Sequence, residues 1–304
     1  MSHPIIIISD LHLGSPKGIE KAESLLPIIS LASTLIVNGD CAELHVEPYR
    51  EAAAHQLEQL RSLCRDHQTE LILLAGNHDP HISPNRYIIH KASGVFVTHG
   101  DVITDSVCPW SDSAAVMRKR HQEITAAQSE KQRNSIDGAF EACHGGAISE
   151  WDSSQNAGTP STILKLLMQP RQCWEVMRFW KTHASLMVDF CERFVPSAQL
   201  ILVGHSHRPS IRKIRGRLFV NTGCYGFPGH PQAAIFDEHG FRVQRIVCSE
   251  GKWNLGPRII YQNSELIFNE DSLREATFGP TQSTDAAEAT AVESTPVNQP
   301  DASQ

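Results

Sequence analysis

No stretch of the 304 residues approaches the roughly 20 consecutive apolar positions that a membrane-spanning helix needs. Ile5-Ile6-Ile7-Ile8 is too short for a signal peptide and has no basic segment before it. The eight cysteines include no C-x-x-C pair. In a chain this long without an export signal they read as free thiols in a reducing compartment. A cytoplasmic protein is therefore expected, with peripheral membrane contact left open. Positive charge is also short: the formal net charge is −7, which argues against a non-specific nucleic-acid binder. Residues 275–304 hold Glu275, Asp285, Glu288, Glu293 and Asp301, no Lys or Arg, and few apolar anchors. They are expected to form a disordered acidic tail. Without those five acids the body is nearly neutral, at about −2.

What is present is a globular composition, 40% hydrophobic and 20% charged, sufficient for a sizeable core. Pro4–Ser9 is a continuous β-branched run, the mark of a strand buried on both faces. Thr34–Val37, Glu70–Ala75 and Val95–Thr98 read as further strands, and residues 18–32 and 48–67 as intervening helices. In the second helix Ala53, Leu57, Leu60 and Cys64 share one face. This alternation implies a mostly parallel sheet covered by helices. About one hundred residues after His99 then read mostly as helix, over 112–133, 161–169 and 171–194, with 143–160 as a Gly/Ser/Asn-rich loop. Leu200–Val203 returns to strand. Leu218–Asn221, Gln232–Phe236 and Phe241–Val247 read as antiparallel strands, the last two joined by a turn at 237–240. A single domain over 1–274 with a helical insertion at about 105–195 is the expected organisation.

Five short motifs carry the chemistry: Asp10-Leu11-His12, Gly39-Asp40, Gly76-Asn77-His78-Asp79, His99-Gly100 and Gly204-His205-Ser206-His207. The first four follow strand-like runs. Asp10 and His12, two residues apart, point to one side of an extended chain. Gly39 allows the tight turn that lets the Asp40 carboxylate project. Asn77 is a weak ligand that fits only where charge is already supplied. His78 is placed over the centre rather than in it, and Asp79 is placed to fix the His78 ring. His99, His205 and His207 add imidazoles. This mixed N/O set, free of thiolate, suits two divalent ions sharing one carboxylate, with Mn²⁺ expected first and Fe, Zn²⁺ or Co²⁺ as alternatives.

The set D-x-H, G-D, G-N-H-D, H-G and G-H-x-H resembles the calcineurin-like metallophosphoesterase superfamily, from residue 4 to about 247. The resemblance implies an α/β fold, a four-layer α/β/β/α sandwich of two mixed sheets with a helical cap insertion. It implies that Asp10, His12, Asp40 and His207 hold one ion and that Asp40, Asn77, His99 and His205 hold the other. It implies hydrolysis of a phosphomonoester, phosphodiester or diphosphate by metal-activated water, with His78 and Asp79 as the catalytic pair. Glu43 stands where many relatives carry Asp or Glu.

The substrate expected is a phosphorylated small molecule or a lipid-linked one. Arg118 and Arg120, in a basic helical stretch, read either as a solvated helix face balanced by Glu123 and Glu130 or as candidate phosphate contacts. Trp151, Trp174, Met177, Phe179, Trp180, Met187 and Phe190 read mostly as the core of the cap, with an acyl-chain groove as the alternative. Asp10–Leu13, His99–Asp101 and Gly204–Pro209 are similar to the UDP-2,3-diacylglucosamine pyrophosphohydrolases. That family often carries Arg where this chain has His78, and the alignment fails beyond residue 110. A nuclease would want a basic groove, which the near-neutral body does not promise.

Overall fold

The structure is a computed structural model that describes residues 3–154, 170–226 and 229–280. Twelve strands form two six-stranded sheets among these residues. In the first, β1 (Ile5–Ile8), β2 (Thr34–Asn38) and β3 (Glu70–Leu74) run parallel. The sheet continues from β1 through β9 (Gln232–Asp237), β10 (Gly240–Ser249) and β11 (Lys252–Asn263), all antiparallel to their neighbours. In the second, β5 (Val95–Thr98), β6 (Leu200–Val203) and β8 (Arg217–Asn221) run parallel. Antiparallel β4 (Tyr87–His90) and β12 (Thr277–Gly279) extend one side and β7 (Ser210–Ile214) the other.

The period-2 alternation of strands sorts these residues into layers. Ile5, Ile7 and Ile36 of the first sheet meet Ile88, Val97, Leu202 and Val220 of the second in the inter-sheet core. Ile6, Ile8, Leu35 and Val37 face outward, onto the short α1 (Leu26–Ile29) and the long α2 (Glu47–Asp66), where they pack with Ile28, Leu57 and Leu60. Phe96, Ile201, Val203 and Phe219 face the other way, against Phe140, Cys143, Met187 and Cys191. The result is the expected α/β/β/α order with two mixed sheets.

The chain between β5 and β6 forms α3 (Ala114–Ala127), α4 (Glu130–Arg133), α5 (Ile136–Ser154) and α6 (Pro170–Phe194). Two expectations change here. The helix read over 112–133 breaks at Gln128, because Ser129 opens a new helix with a capping box: its hydroxyl accepts from Gln132 N–H while the Gln132 side chain accepts from Ser129 N–H. The first half of the loop read over 143–160 is helical, through His144-Gly145-Gly146. Those glycines reflect close packing: a Cβ on Gly145 would lie 2.1 Å from Ile124 Cδ1 and one on Gly146 2.9 Å from Val107 Cγ2.

Other differences are smaller. The helix expected over 18–32 is reduced to a 3₁₀ turn (Ala22–Leu25) and α1, with Pro27 at its start. The acidic tail was expected from residue 275, yet Glu275 ends α7 (Glu270–Glu275) and β12 pairs with β4 through Phe278 and Ile88. Short strands such as β12 carry no alternation long enough to read. The helix expected over 161–169 and the tail beyond Pro280 lie outside the described residues. All eight cysteines are free. Among the described residues no helix is long and apolar enough to cross a membrane.

Candidate metal centre

The five motifs converge where β1, β2, β3, β5 and β6 end. Ligand atoms of Asp10, His12, Asp40 and His207 lie within 4.8 Å of one another, as do those of Asp40, His99 and His205. Asp10 and Asp40 are fully buried, at 0% and 1% exposure, with no Lys or Arg pairing either among the described residues. Asp10, His12, Asp40, His205 and His207 all have φ between 47° and 65°. Left-handed backbone at five non-glycine residues of one cluster is costly and marks an arrangement held for function. The motif glycines admit it: a Cβ on Gly204 would lie 2.2 Å from Asp10 Oδ2, and one on Gly76 2.2 Å from Asp40 Oδ1.

The hydrogen bonds fix which imidazole nitrogen faces inward. His99 Nδ1 donates to the Asn38 carbonyl at 3.1 Å, so Nε2 turns to Asp40 Oδ2 at 3.2 Å and Asn77 Oδ1 at 3.3 Å. His205 Nε2 donates to the Val107 carbonyl at 3.0 Å, leaving Nδ1 inward. His12 Nδ1 donates to Glu43 Oε2 at 2.9 Å, leaving Nε2 3.1 Å from His207 Nε2. Inward imidazole nitrogens crowded against two buried carboxylates are an arrangement that a cation satisfies, and the outer hydrogen bonds are those that orient imidazole ligands. With N and O donors and no sulfur, the residues fit divalent ions of the Mn–Zn series.

The same demand for positive charge shows in the titration of the side chains. Burial presses the His99 imidazole toward neutrality, but Asp40 overrides it and lifts its pKa to about 10. Burial opposes ionisation of Asp40 and Glu43 too, yet the imidazoles hold both well below the usual carboxylate range.

His78 stands apart from the inward set. Its Nδ1 lies 2.7 Å from Glu43 Oε1, its Nε2 4.0 Å from Asp40 Oδ2, and its side chain is 25% exposed. Its ring belongs to a file of four, with centroids 4.2 Å from His45 to His78, 4.8 Å on to His12 and 5.0 Å on to His207. The cap meets the cluster on the His205 side, beside this file. Trp180 of α6 donates to the Ser206 carbonyl at 2.8 Å, and Trp110 lies 5.2 Å from the His205 ring.

Two expected assignments do not hold. Asp79 does not touch the His78 ring. Its carboxylate accepts the backbone N–H groups of Asp40, Cys41, Ala42 and Gly76, fastening the loop after β2 to the loop after β3. The partner of His78 is Glu43, whose position three residues after Asp40 was the available signal. Arg118 and Arg120 are not brought to the cluster: they are exposed on α3 and pair with Asp105 and Glu123. Sequence reasoning also missed Arg86, which is buried and pairs with Asp101 at 2.6 Å just behind His99.

The calcineurin-like phosphoesterase profile matches residues 3–209, the span that contains all five motifs. The chain belongs to that family. Comparison with curated proteins returns no match. Solved structures with a similar course include a single-substitution Vps29 from Entamoeba histolytica, 10% identical over 85% of this chain and 99% of its own, with a TM-score of 0.39. A dimetal phosphatase from Danio rerio is 10% identical over 80% of this chain and 95% of its own, with a TM-score of 0.42. A predicted phosphoesterase from Streptococcus pneumoniae is 13% identical over 84% and 93%, with a TM-score of 0.35.

Proposed function

We propose that this member of the family is a dinuclear metallohydrolase that cleaves a phosphomonoester, phosphodiester or diphosphate bond with water, in the cytoplasm and with Mn²⁺ as its first-choice metal. Asp10, His12, Asp40 and His207 would hold one ion; Asp40, Asn77, His99 and His205 the other. Bound divalent ions supply Lewis acidity that activates water and neutralises developing phosphoryl charge.

The protein's own part is positioning. Asp40, common to both ligand groups, sets their spacing, and its Oδ1 accepts the His78 N–H at 2.9 Å. Glu43 holds the His78 ring with Nδ1–H bonded, which leaves Nε2 facing the open side of the cluster. From there His78 gives a hydrogen bond or a proton to the phosphoryl or leaving oxygen, a role worth roughly 10²–10⁴-fold in rate. The cap packs against the His205-Ser206 side of the cluster through Trp110 and Trp180.

One observation carries this reading: His99 Nε2 lies 3.2 Å from Asp40 Oδ2 and 3.3 Å from Asn77 Oδ1 while a partly exposed His78 is held by Glu43 beside Asp40. The test is hydrolysis of bis(4-nitrophenyl) phosphate, 4-nitrophenyl phosphate, single-stranded DNA and UDP-2,3-diacylglucosamine with Mn²⁺ and with chelator. Metal-dependent turnover of at least one supports the reading; none with any divalent ion refutes it.

A further inference from the structure

Arg50 lies in the first turn of α2 and is half-buried. Its Nε donates to the Leu44 carbonyl at 2.9 Å. That anchor sits between Glu43 and His45, both of which touch the His78 ring. The guanidinium carbon lies 5.0 Å from the centroid of the Trp151 ring, which reaches across from the end of the cap helix α5. Trp151 also meets His81, three residues past His78, at 5.5 Å. The guanidinium is thus anchored on the carbonyl between Glu43 and His45 and faces an indole of the cap.

What Arg50 lacks is a counter-ion. Its Nη2 is buried without a hydrogen-bond partner, and no carboxylate pairs with it among the described residues. Other arginines near it are neutralised. On the same helix Arg61 and Arg65 pair with Glu58, and behind the site Arg86 pairs with Asp101. A half-buried cation without a partner is costly unless something anionic completes it. The planar fork of arginine, pre-oriented here by stacking, is matched to an oxyanion.

We propose that Arg50, braced by Trp151, binds a second oxyanion on the leaving-group side of the scissile phosphorus. The chain then selects substrates whose leaving group is itself phosphorylated, diphosphates in the first place, over those that release a neutral alcohol. The side follows from His78, which serves the leaving oxygen and neighbours the Arg50 anchor. In such a hydrolysis the water oxygen joins the attacked phosphorus and the water proton passes to solvent. The bridging P–O bond breaks with its electron pair on the departing phosphate, whose oxygen His78 protonates. The direction of cleavage rests on the phosphoesterase reading; the anion subsite does not.

The test begins with binding. Inorganic diphosphate is titrated calorimetrically into the chelator-treated full chain, as wild type, Arg50→Met, Arg50→Lys and Arg61→Met. Arg50→Met keeps an apolar stem against Trp151 and removes the charge. Its affinity should fall roughly 10–100-fold, as for a lost hydrogen bond to a charged group, with Arg50→Lys intermediate and Arg61→Met within twofold of wild type. Equal affinity in Arg50→Met and wild type overturns the proposal, and so does an equal loss in Arg61→Met, which would mean diffuse charge alone. The second arm compares kcat/KM for ADP and for bis(4-nitrophenyl) phosphate in metal-loaded protein. The Arg50→Met loss should be confined to ADP; the same loss on both substrates overturns the subsite. If wild type cleaves neither, the preference for diphosphates is overturned while the calorimetry still decides the anion subsite; the phosphoesterase reading itself fails only if every substrate of the panel above is also inert.

Discussion

His12 Nε2 and His207 Nε2 face each other at 3.1 Å, between two buried carboxylates. His12 has committed its other nitrogen to Glu43, and Asp10 draws a proton onto His207 by a 3.3 Å contact that outweighs burial and holds its pKa well above the usual value. A divalent ion held by these residues would take the place of that proton. Metal binding should therefore release protons and stabilise the fold.

The stabilisation follows from linkage: at 100-fold excess over Kd, a ligand that binds only the folded chain adds about 2.7 kcal/mol. For a chain of this size that corresponds to a rise in Tm of roughly 4 °C or more. Differential scanning fluorimetry of chelator-treated protein with added Mn²⁺ checks this. Asp40→Asn, which weakens both ligand groups, should abolish the rise. A wild-type Tm indifferent to every divalent ion would contradict the assignment of the centre.

His78 offers the cleanest separation of binding from chemistry. His78→Ala leaves all seven proposed ligands in place, so bound metal measured by mass spectrometry should remain near wild type. Turnover of the best substrate should fall roughly 10²–10⁴-fold. Loss of metal together with activity would place His78 among the ligands instead.

Glu43 and Asp79, both acidic and both next to His78 in space or sequence, should fail in different ways. Glu43 holds the rings of His12 and His78, so Glu43→Gln should lower turnover and also weaken metal affinity, roughly 10–100-fold, as for other carboxylates that orient imidazole ligands. Asp79 holds four backbone N–H groups in a fully buried loop junction. Asp79→Ala leaves those donors unpaired and should destabilise the fold by about 3 kcal/mol or more. Urea unfolding of metal-free protein distinguishes the two: Glu43→Gln should stay much closer to wild type.

These four residues also show what the sequence discloses and what it hides. The ligand types and their order were legible because the motifs follow apolar runs, and β1, β2, β3, β5 and β6 do stop at the cluster. The two-sheet sandwich was not in the periodicity, since a strand buried on both faces reads the same whichever sheet it joins; it came with the resemblance. The Asp79 assignment failed because adjacency along the chain is not adjacency in space. A carboxylate beside a tight turn can reach the turn's own N–H groups more easily than the ring before it. Arg118 and Arg120 failed for another reason. Charge spacing on a helix says which residues share a face, and Asp105 and Glu123 had already claimed that face. The glycines at 145 and 146 misled toward a loop, because helix propensity takes no account of α3 packed at near contact.

The half-buried His144 makes the acid limb of stability predictable. Burial and the neighbouring Arg86, whose Nη1 lies 3.2 Å from His144 Nδ1, depress its pKa to about 4. The native chain therefore binds fewer protons at this site than the unfolded chain, where imidazole titrates near 6.5. Above that pH the site leaves stability unchanged. As pH falls from 6.5 toward 4 the unfolded state gains the proton first, and stability drops by about 1.4 kcal/mol per pH unit, about 3 kcal/mol over the whole window. His144→Gln removes the titration while keeping a polar group for Arg86. Urea unfolding of metal-free protein at pH 7.0 and pH 4.5 should then show a smaller acid loss in His144→Gln than in wild type, by about 2 kcal/mol. Parallel losses in the two proteins would mean that the His144 ring takes up its proton without unfolding.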